Sequence, residues 1–391
     1  MVFDSSLASR GWLLASLLSV VTTGLGAAAA SAAEPGKFWT FVGTYTDGKS
    51  KGIYRLVLDT ATGKLSEPAL AAELDNPSFL AVHPTHRFLF AVNESSGSKS
   101  GAVTSFALDP TSGELTKLNQ QSTVGNGPCH LVVDATGKNV LVANYSGGSV
   151  AVLPIERDGK LAPASDFIQH TGKVFDPKRQ GTPHAHSINL DKGNRFAVVA
   201  DLGLDRVFVY KFDPIHGKLA PNDPPSAKVQ DRSGPRHFAF HPDGKHAYVI
   251  NEINCTVTAF DYDPDRGTLT ETQTVPTMPI AVEPRHSTAE VVVHPSGKFL
   301  YGSNRGHDSL AVYSIEPKTG RLKLVEYEPT GGKNPRNFAV DPTGSYVLAE
   351  NLSSDTIVVF RVDPETGALD PTGQVVAVPS PSCIKFVPIP E

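Results

Sequence analysis

Short apolar segments separated by polar turns run along most of the chain, and their order repeats. One unit opens with Pro235-Arg-His-Phe-Ala-Phe-His-Pro242 and continues, after a polar turn, with the apolar segment Ala247 to Ile250. The segment Thr256 to Tyr262 follows, and a fourth segment lies beyond a Gly-x-Leu turn. Apolar segments of roughly four to eight residues bounded by Gly and Pro are typical of β-strands. Each unit therefore predicts four strands and no helix.

The clearest repeated feature is the turn Asp-Pro-x-x-Gly-x-Leu with its variants. Asp can hydrogen-bond to its own backbone, Pro presets φ and Gly supplies a positive φ, a combination that suits a hairpin loop. Seven copies occur, the third of them shortened, and they begin at Asp59, Asp109, Glu156, Asp213, Asp263, Glu316 and Asp363. Four strands in each of seven repeats predict an all-β fold, a seven-bladed β-propeller of four-stranded antiparallel blades.

The two ends of the repeat array fit each other. The first repeat lacks the opening Pro-x-x-Phe-x-Val-x-Pro strand and begins with a second-strand segment, Trp39 to Tyr45. The missing strand occurs at the other end of the chain as Pro381-Ser-Cys-Ile-Lys-Phe-Val-Pro388. We therefore expect the C-terminal strand to close the first blade, which would cover two otherwise unpaired sheet edges.

Composition excludes several classes of function. The net charge of −5 and the lack of a long basic run argue against nucleic acid as a partner. The three cysteines form neither a disulfide framework nor a zinc spacing. No dinucleotide fingerprint and no P-loop occurs, so the sequence predicts no cofactor and no resident metal. His184 and His186 could be two metal ligands on one strand face, but no third ligand is evident nearby.

The N-terminal region differs from the rest of the chain. Arg10 precedes an apolar run from Gly11 to Leu25, and small residues with A-x-A-like cleavage sites follow up to Ala33. This order is typical of a secretory signal peptide. We expect residues 1–33 to be a signal peptide, residues 34–391 to form one propeller domain, and the protein to be exported to the periplasm or the extracellular space. Asp4 weakens the positive start, so a retained anchor stays open; the mature chain has no candidate membrane span.

Candidate functional residues lie where the first strand of each blade begins, because that strand lines the central channel of a propeller. The residue after each opening Pro should lie near the rim of the channel. These residues are Ser78, Cys129, His184, Arg236, Arg336 and Ser382, with a degenerate copy around Thr288. Burying unpaired cations is costly. Arg236 and Arg336 therefore indicate a site for an anion.

A second set of polar residues follows the second strands, in pairs such as Asn251-Glu252 and Asn304-Arg305. Adjacent strands are antiparallel in a blade, so both sets should lie at one mouth of the channel. Glu252 and Arg305 are not preferred turn residues, which favours a functional role. We expect Asn251 and Asn304 to contact substrate, although Asn can also simply turn the chain. His83, His241 and His294 recur before Pro or beside turns and are expected to be structural.

At these residues the chain resembles the lactonase family of seven-bladed propellers, which includes a bacterial 6-phosphogluconolactonase and the fungal carboxy-cis,cis-muconate cyclase. The resemblance covers about residues 38 to 388. It rests on the segments Pro183-His-Ala-His-Ser187, Gly234-Pro-Arg-His-Phe-Ala-Phe-His-Pro242, Asn251-Glu-Ile-Asn254, Ser303-Asn-Arg305 and Asn334-Pro-Arg-Asn-Phe338. The resemblance implies active-site roles for His184 or His186, Arg236, Glu252 and Arg305. Arg336 is added from its position in the repeat.

The function expected from these residues is hydrolysis of a small anionic sugar lactone. Glu252 or a histidine would remove a proton from water, and the arginines would stabilise the oxyanion and bind the substrate's anionic group. Two alternatives stay open. One is a non-catalytic exported propeller that binds a partner or an anionic ligand, and the other is an intramolecular lyase of the muconate cyclase type. The fold alone cannot choose among them.

Overall fold

Seven antiparallel sheets arranged in sequence order make up the part of the chain that the computed structural model describes, residues 34, 36–94, 101–174, 176 and 178–390. These ranges contain 29 β-strands and one 3₁₀ helix, Leu352–Ser354. No helix within them is long and apolar enough to span a bilayer. The predicted signal peptide, residues 1–33, lies outside the described residues.

Each sheet is one blade of the propeller. The strands of blades one to four are β1 (Lys37–Thr44), β2 (Gly52–Asp59), β3 (Lys64–Leu65), β4 (Ala69–Glu73), β5 (Leu80–Val82), β6 (Phe88–Asn93), β7 (Ala102–Leu108), β8 (Leu115–Ser122), β9 (Pro128–Val133), β10 (Asn139–Asn144), β11 (Ser149–Pro154), β12 (Asp166–Gln169), β13 (Ala185–Leu190), β14 (Phe196–Asp201), β15 (Arg206–Asp213) and β16 (Lys218–Lys228). In blade one, β3 and β4 both pair with β2 and together take the place of a single outer strand.

The remaining blades follow the same plan. Their strands are β17 (Pro235–Phe240), β18 (His246–Asn251), β19 (Thr256–Asp263), β20 (Thr268–Pro276), β21 (Ser287–Val293), β22 (Phe299–Arg305), β23 (Ser309–Ile315), β24 (Leu322–Pro329), β25 (Pro335–Val340), β26 (Tyr346–Asn351), β27 (Thr356–Val362), β28 (Leu369–Ala377) and β29 (Pro381–Pro388). The all-β, seven-bladed prediction is confirmed.

Ring closure also follows the prediction. Strand β29 pairs antiparallel with β1, in a register that runs from Phe38 opposite Pro388 to Thr44 opposite Pro381. Behind this pairing, apolar side chains of blade one and blade seven form a single buried cluster that contains Val42 and Leu348. The first and last blades are therefore joined both by backbone hydrogen bonds and by a shared core.

The glycines of the repeated turn have a packing role as well as a conformational one. Gly159 has a φ of 84°, and a Cβ atom there would lie 2.2 Å from the ring of Phe88 in the preceding blade. Gly113 has the same relation to Trp39, whose indole N–H donates to the carbonyl of Pro110 at 2.9 Å. The turn therefore needs Gly both for its positive φ and because an aromatic side chain of the preceding blade packs directly on it.

At the C-terminal ends of some of the first strands, histidines join one blade to the next. Nε2 of His83, His241 and His294 lies 2.7–2.9 Å from a backbone carbonyl oxygen in the following blade, that of Gly137, Gly297 and Gly344 respectively. We call this end of the blades the clasp end. The structural role predicted for the three histidines is confirmed.

Candidate active site

A β-bulge near the start of the first strand sets which side chains reach the channel mouth. In blade five, Pro235 pairs with Asn251 and His237 pairs with Ile250, so Arg236 is the extra residue. The register shifts in the same way in four other blades, and the residues left unpaired there are Cys129, His186, Arg336 and Ser382. Bulges are common beside active sites, because the extra residue re-aims a side chain.

This register corrects two positions of the predicted rim. In blade four Ala185 pairs with Asp201 and Ser187 with Ala200, so the bulge residue is His186 and not His184. In blade six the unpaired residues between Thr288 and Val291 are Ala289 and Glu290. The rim position expected around Thr288 is therefore shifted by one residue.

Glu252 is at the centre of the arginine cluster at the mouth. Its Oε2 lies 3.1 Å from Nε of Arg236 and 2.8 Å from a terminal nitrogen of Arg305, and its Oε1 lies 2.6 Å from a terminal nitrogen of Arg179. Glu252 and Arg236 are buried, whereas 44% of the Arg179 side chain is exposed. Three of the predicted residues, Arg236, Glu252 and Arg305, are thus in direct contact.

Arg336 belongs to a second polar group at the same mouth. A terminal nitrogen of Arg336 donates to the Tyr45 hydroxyl at 2.7 Å, and its guanidinium carbon lies 5.0 Å from the centre of the Tyr45 ring. The Tyr45 hydroxyl donates in turn to Glu94 at 2.8 Å, and Ser78 also bonds to that carboxylate. A small cavity between the two groups is lined by both Arg236 and Arg336.

The two predicted histidines lie at different depths. The half-buried His184 ring stacks on Tyr145 with 4.5 Å between ring centres, and its Nδ1 lies 2.9 Å from the Tyr145 carbonyl oxygen. Its backbone N–H donates to Asp201 at 2.8 Å. His186 is buried below, with Nδ1 3.7 Å from Sγ of Cys129. Only His184 of the two lies at the solvent side of the mouth.

Asn251 and Asn304 make contacts with the protein itself, and their assignment as substrate-binding residues stays a prediction. Both side chains are fully buried. The Asn251 amide donates to the hydroxyls of Thr256 and Thr258, and the Asn304 amide donates to the carbonyl of Thr277 at 2.7 Å. The amide nitrogens therefore hold the chain near the ends of the second strands, the turn-holding role that the sequence left open, while neither Oδ1 has a partner among the described residues.

The electrostatics of the mouth favour an anionic ligand. Burial alone would raise the pKa of Glu252, but Arg305, Arg236 and Arg179 together hold it below its usual value, so this carboxylate stays ionised. Burial and the neighbouring arginines lower the pKa of Arg236 to about 10, which still leaves it charged at neutral pH. The mouth has two carboxylates, Glu252 and Glu94. They are outnumbered by four arginines, Arg179, Arg236, Arg305 and Arg336. The mouth is therefore cationic on a protein whose net charge is −5.

Several polar residues of the site were missed by the sequence argument. Arg179 lies in the connection between β12 and β13, which is longer than the corresponding connections of the other repeats. Tyr45 was taken only as the end of a strand, although it follows Thr44 as Glu94 follows Asn93 in the next blade. A comparison of second-strand ends over all seven blades would have found Tyr45, whereas no repeat comparison could have found Arg179.

Two further polar residues meet below the mouth, inside the channel. His237 Nδ1 lies 2.9 Å from Oε1 of Glu290, and both residues are buried. Oε2 of Glu290 accepts a hydrogen bond from Asn337. On the far side of this pair a cavity of about 300 Å³ is lined by His237 and Glu290 together with His130 and Lys385. Neither His237 nor Glu290 was predicted as a site residue from the sequence.

One group of side chains in the described ranges has the spacing of metal ligands, namely His241, Asp243 and His246. It lies at the clasp end, and its lone pairs are used within the turn. His241 Nδ1 accepts the backbone N–H of Asp243 at 3.1 Å, and the Asp243 carboxylate accepts the backbone N–H of Lys245 and bonds to Nδ1 of His246. The contacts of this group are those of a turn that is tied together by side chains.

The chain has close relatives among known proteins. It is 39% identical to a 6-phosphogluconolactonase of Bacillus subtilis, over 90% of this chain and 99% of that protein. A crystal structure of a putative 6-phosphogluconolactonase from Bacteroides fragilis has a TM-score of 0.84 at 39% identity, and covers 90% of this chain and 98% of that chain. A periplasmic gluconolactonase of Pseudomonas aeruginosa has a TM-score of 0.86 at 36% identity, over 90% of this chain and 100% of that chain.

The family model described as "Lactonase, 7-bladed beta-propeller" matches residues 40–386, which include every strand that contributes to the mouth. This match agrees with the relatives named above and with the seven blades of the structure. The chain belongs to the lactonase family of seven-bladed β-propellers.

Proposed function

We propose that this protein hydrolyses an anionic sugar lactone, with 6-phosphogluconolactone as the first substrate to test. The observation that carries the proposal is the convergence of four arginines on one mouth of the channel, where Glu252 alone contacts three of them. Guanidinium groups bind phosphate and carboxylate through paired hydrogen bonds. The relatives named 6-phosphogluconolactonase support the same substrate class.

The chemistry needs no covalent intermediate. Water attacks the lactone carbonyl carbon, the tetrahedral oxyanion is stabilised, and the ring oxygen leaves with a proton. Arg236 and Arg305 are charged groups held by Glu252 and by backbone carbonyls, those of Ala289 and Thr288. Donors fixed before the reaction stabilise an oxyanion well, because they need no reorganisation when the charge develops.

Glu252 was one of the two groups expected to remove the proton from water. Glu252 could act as a base or as a counter-charge for the arginines, and its contacts favour the second role. Three guanidinium donors share its two oxygens, and they keep its pKa below the usual range. A carboxylate in this state is a weak base but a strong counter-charge, so we assign to Glu252 chiefly the task of orienting Arg236 and Arg305 for the substrate.

The test is acid release by the purified mature protein. δ-Gluconolactone and its 6-phosphate are compared at equal concentration, with spontaneous hydrolysis subtracted. We expect kcat/KM to be at least about tenfold higher for the phosphorylated lactone, which corresponds to about 1.4 kcal/mol of added binding. Saturable binding of 6-phosphogluconate without turnover would instead support the non-catalytic propeller, and turnover of neither lactone would contradict the proposal.

We also propose that the protein is exported. The proposal rests on the pattern of residues 1–33, and a related gluconolactonase of Pseudomonas aeruginosa is periplasmic. An exported enzyme would meet its lactone outside the cytoplasm. N-terminal sequencing of the mature protein decides the matter: a start near residue 34 is expected, and an intact Met1 on protein from the cytoplasmic fraction would contradict it.

A further inference from the structure

His237 and Glu290 form a buried pair directly beneath the arginines of the mouth. His237 follows Arg236 on β17, and Glu290 is on β21 of the next blade. Oε1 of Glu290 lies 2.9 Å from His237 Nδ1 and also accepts the backbone N–H of Val291 at 2.9 Å. Its Oε2 accepts an N–H of the Asn337 amide. Both oxygens of Glu290 are thus held by donors from three blades.

This arrangement fixes the tautomer of His237. An ionised carboxylate only accepts hydrogen bonds, so the nitrogen that faces Glu290 must carry the ring proton. The lone pair of a neutral His237 is then on Nε2. That atom is buried and has no hydrogen-bond partner among the described residues. A buried acceptor without a partner is costly, which indicates that Nε2 is kept for a ligand or for a reacting group.

The space next to His237 fits one water molecule. A cavity of about 10 Å³ is lined by ten residues, namely Tyr45, Ser78, Phe79, Cys129, His186, Arg236, His237, Arg336, Asn337 and Ser382. A site of this size with several polar neighbours can hold one ordered water. The cavity is lined by His237 together with Arg236 and Arg336, so a water in it lies close to the imidazole and to two substrate-binding cations.

We propose that His237, oriented by Glu290, is the general base of the hydrolysis and activates a water in this cavity. The assignment rests on the proposed lactonase function and goes beyond it, because it names the group that removes the proton. A histidine whose other nitrogen donates to a carboxylate is a common catalytic base, since the carboxylate stabilises the imidazolium that forms. Glu290 is here a positioning residue.

The proton and the electrons balance in two steps. In the first, the water oxygen bonds to the lactone carbonyl carbon, its proton passes to Nε2 of His237, and the carbonyl electron pair becomes the oxyanion held by arginine. In the second, the oxyanion collapses, the bond from the carbonyl carbon to the ring oxygen breaks, and the imidazolium returns the proton to that oxygen. The product is the open hydroxy acid, and no further reactant is needed.

The charged and titratable groups around His237 determine its protonation. Those that face it from its own and the adjoining strands are Arg236, Arg336, His130, His186 and Glu290. Burial lowers the pKa of His237 below its usual value of 6.5; Glu290 raises it, and the arginines lower it further. Folded His237 is therefore neutral at pH 7 and available as a base, and its basic form is lost only as the pH falls below about 6.5.

The decisive experiment compares His237→Asn with His130→Asn in the mature protein, residues 34–391. Asn at 237 can still donate to Glu290, but it has no acceptor at the position of Nε2. We expect kcat to fall about 10²–10⁴-fold, KM to change little, and the acid limb of kcat/KM to disappear. His130 is the matched control, because its ring is also buried and its centre lies 5.2 Å from that of His237. Its substitution should leave kcat within about threefold.

The outcomes separate this inference from the proposed function. Hydrolysis by the wild type together with unchanged kcat and an unchanged acid limb in His237→Asn would overturn the role of His237 and leave the lactonase intact. An inactive wild type would overturn the proposed function itself. If His237→Asn does not fold, Glu290→Gln takes its place: the acid limb must then shift to lower pH, because the imidazolium loses its carboxylate, and an unshifted limb contradicts the proposal.

Discussion

At one end of the blades the same residue types recur from repeat to repeat, whereas at the other end they change. At the clasp end the same kinds of residue recur. His83, His241 and His294 bond to the next blade, whereas Asp134 and Asp341 bond to the backbone of their own turn. At the mouth the bulge residue changes from blade to blade: in the six blades with a shifted register it is Cys129, His186, Arg236, Ala289, Arg336 or Ser382. Within a repeat fold, positions that stay the same hold the blades together, and positions that vary carry the chemistry.

The largest expected effect comes from breaking the ring that both ends depend on. Truncation before Pro381 removes β29 and exposes the edge of β1 and the cluster around Val42 and Leu348. We expect loss of cooperative unfolding and aggregation, because an open sheet edge invites pairing with other chains. Calorimetry and size-exclusion chromatography measure this. A truncated protein that stays monomeric with an unchanged Tm would refute the role of β29 in closing the ring.

Arg236→Lys tests whether the guanidinium of Arg236 stabilises the oxyanion at the mouth. Arg236 contacts the Glu252 carboxylate and the Ala289 carbonyl with different nitrogens. Lysine offers one point charge and cannot make both contacts in that geometry. We expect kcat to fall about 10²–10³-fold if this group stabilises the oxyanion, with Tm lowered by only a few degrees. Steady-state kinetics at pH 7 decides it, and wild-type kcat in the variant would remove Arg236 from the oxyanion site.

Glu252→Gln separates the counter-charge role from the base role. We expect KM to rise about tenfold to a hundredfold, a loss of about 1.4–2.8 kcal/mol in binding, and kcat to fall about tenfold, because Glu252 also orients the arginines that stabilise the oxyanion. In the wild type the carboxylate has a lowered pKa, so KM should stay constant down to about pH 4.5 and rise only as the pH falls through that lower value. A kcat reduced 10²–10⁴-fold at unchanged KM would show that Glu252 is the base after all.

The smallest effect on activity is expected at the clasp end. His294→Ala leaves the carbonyl of Gly344 without its donor and removes a buried ring. We expect the free energy of unfolding to fall by about 1–3 kcal/mol, while kcat and KM stay within about twofold of wild type. Urea unfolding and the lactone assay on the same sample measure both. A large loss of activity in this variant would contradict the assignment of a purely structural role to the clasp end.

The sequence was sufficient for the fold because the repeat is dense. The Gly turns, the opening prolines and the split first repeat specify seven blades and their closure without knowledge of any contact. The site was less predictable. Pro183 resembles the opening proline of the other blades, but strand pairing begins at Ala185. The residue predicted at the rim was therefore His184, whereas the bulge residue is His186. Such a shift depends on a bulge that is set by packing, and no spacing rule reveals it.

Long-range contacts account for the other differences. Arg179, 73 residues before Glu252 in the chain, reaches it from an unusually long connection between blades. Asn251 was expected at the substrate, and its bonds to Thr256 and Thr258 could not be predicted from the sequence. The His237–Glu290 pair joins two blades, so neither residue signals the other along the chain.

The central claim is that the mouth, and not the clasp end, binds the anionic substrate. A crystal structure with 6-phosphogluconate, the product of the proposed reaction, tests this most directly. The account predicts that the phosphate or the carboxylate lies within hydrogen-bond distance of at least two of Arg236, Arg305 and Arg336, with the sugar over the small cavity beside His237. Product bound at the clasp end, or at the far opening of the channel with the mouth arginines unoccupied, would contradict it.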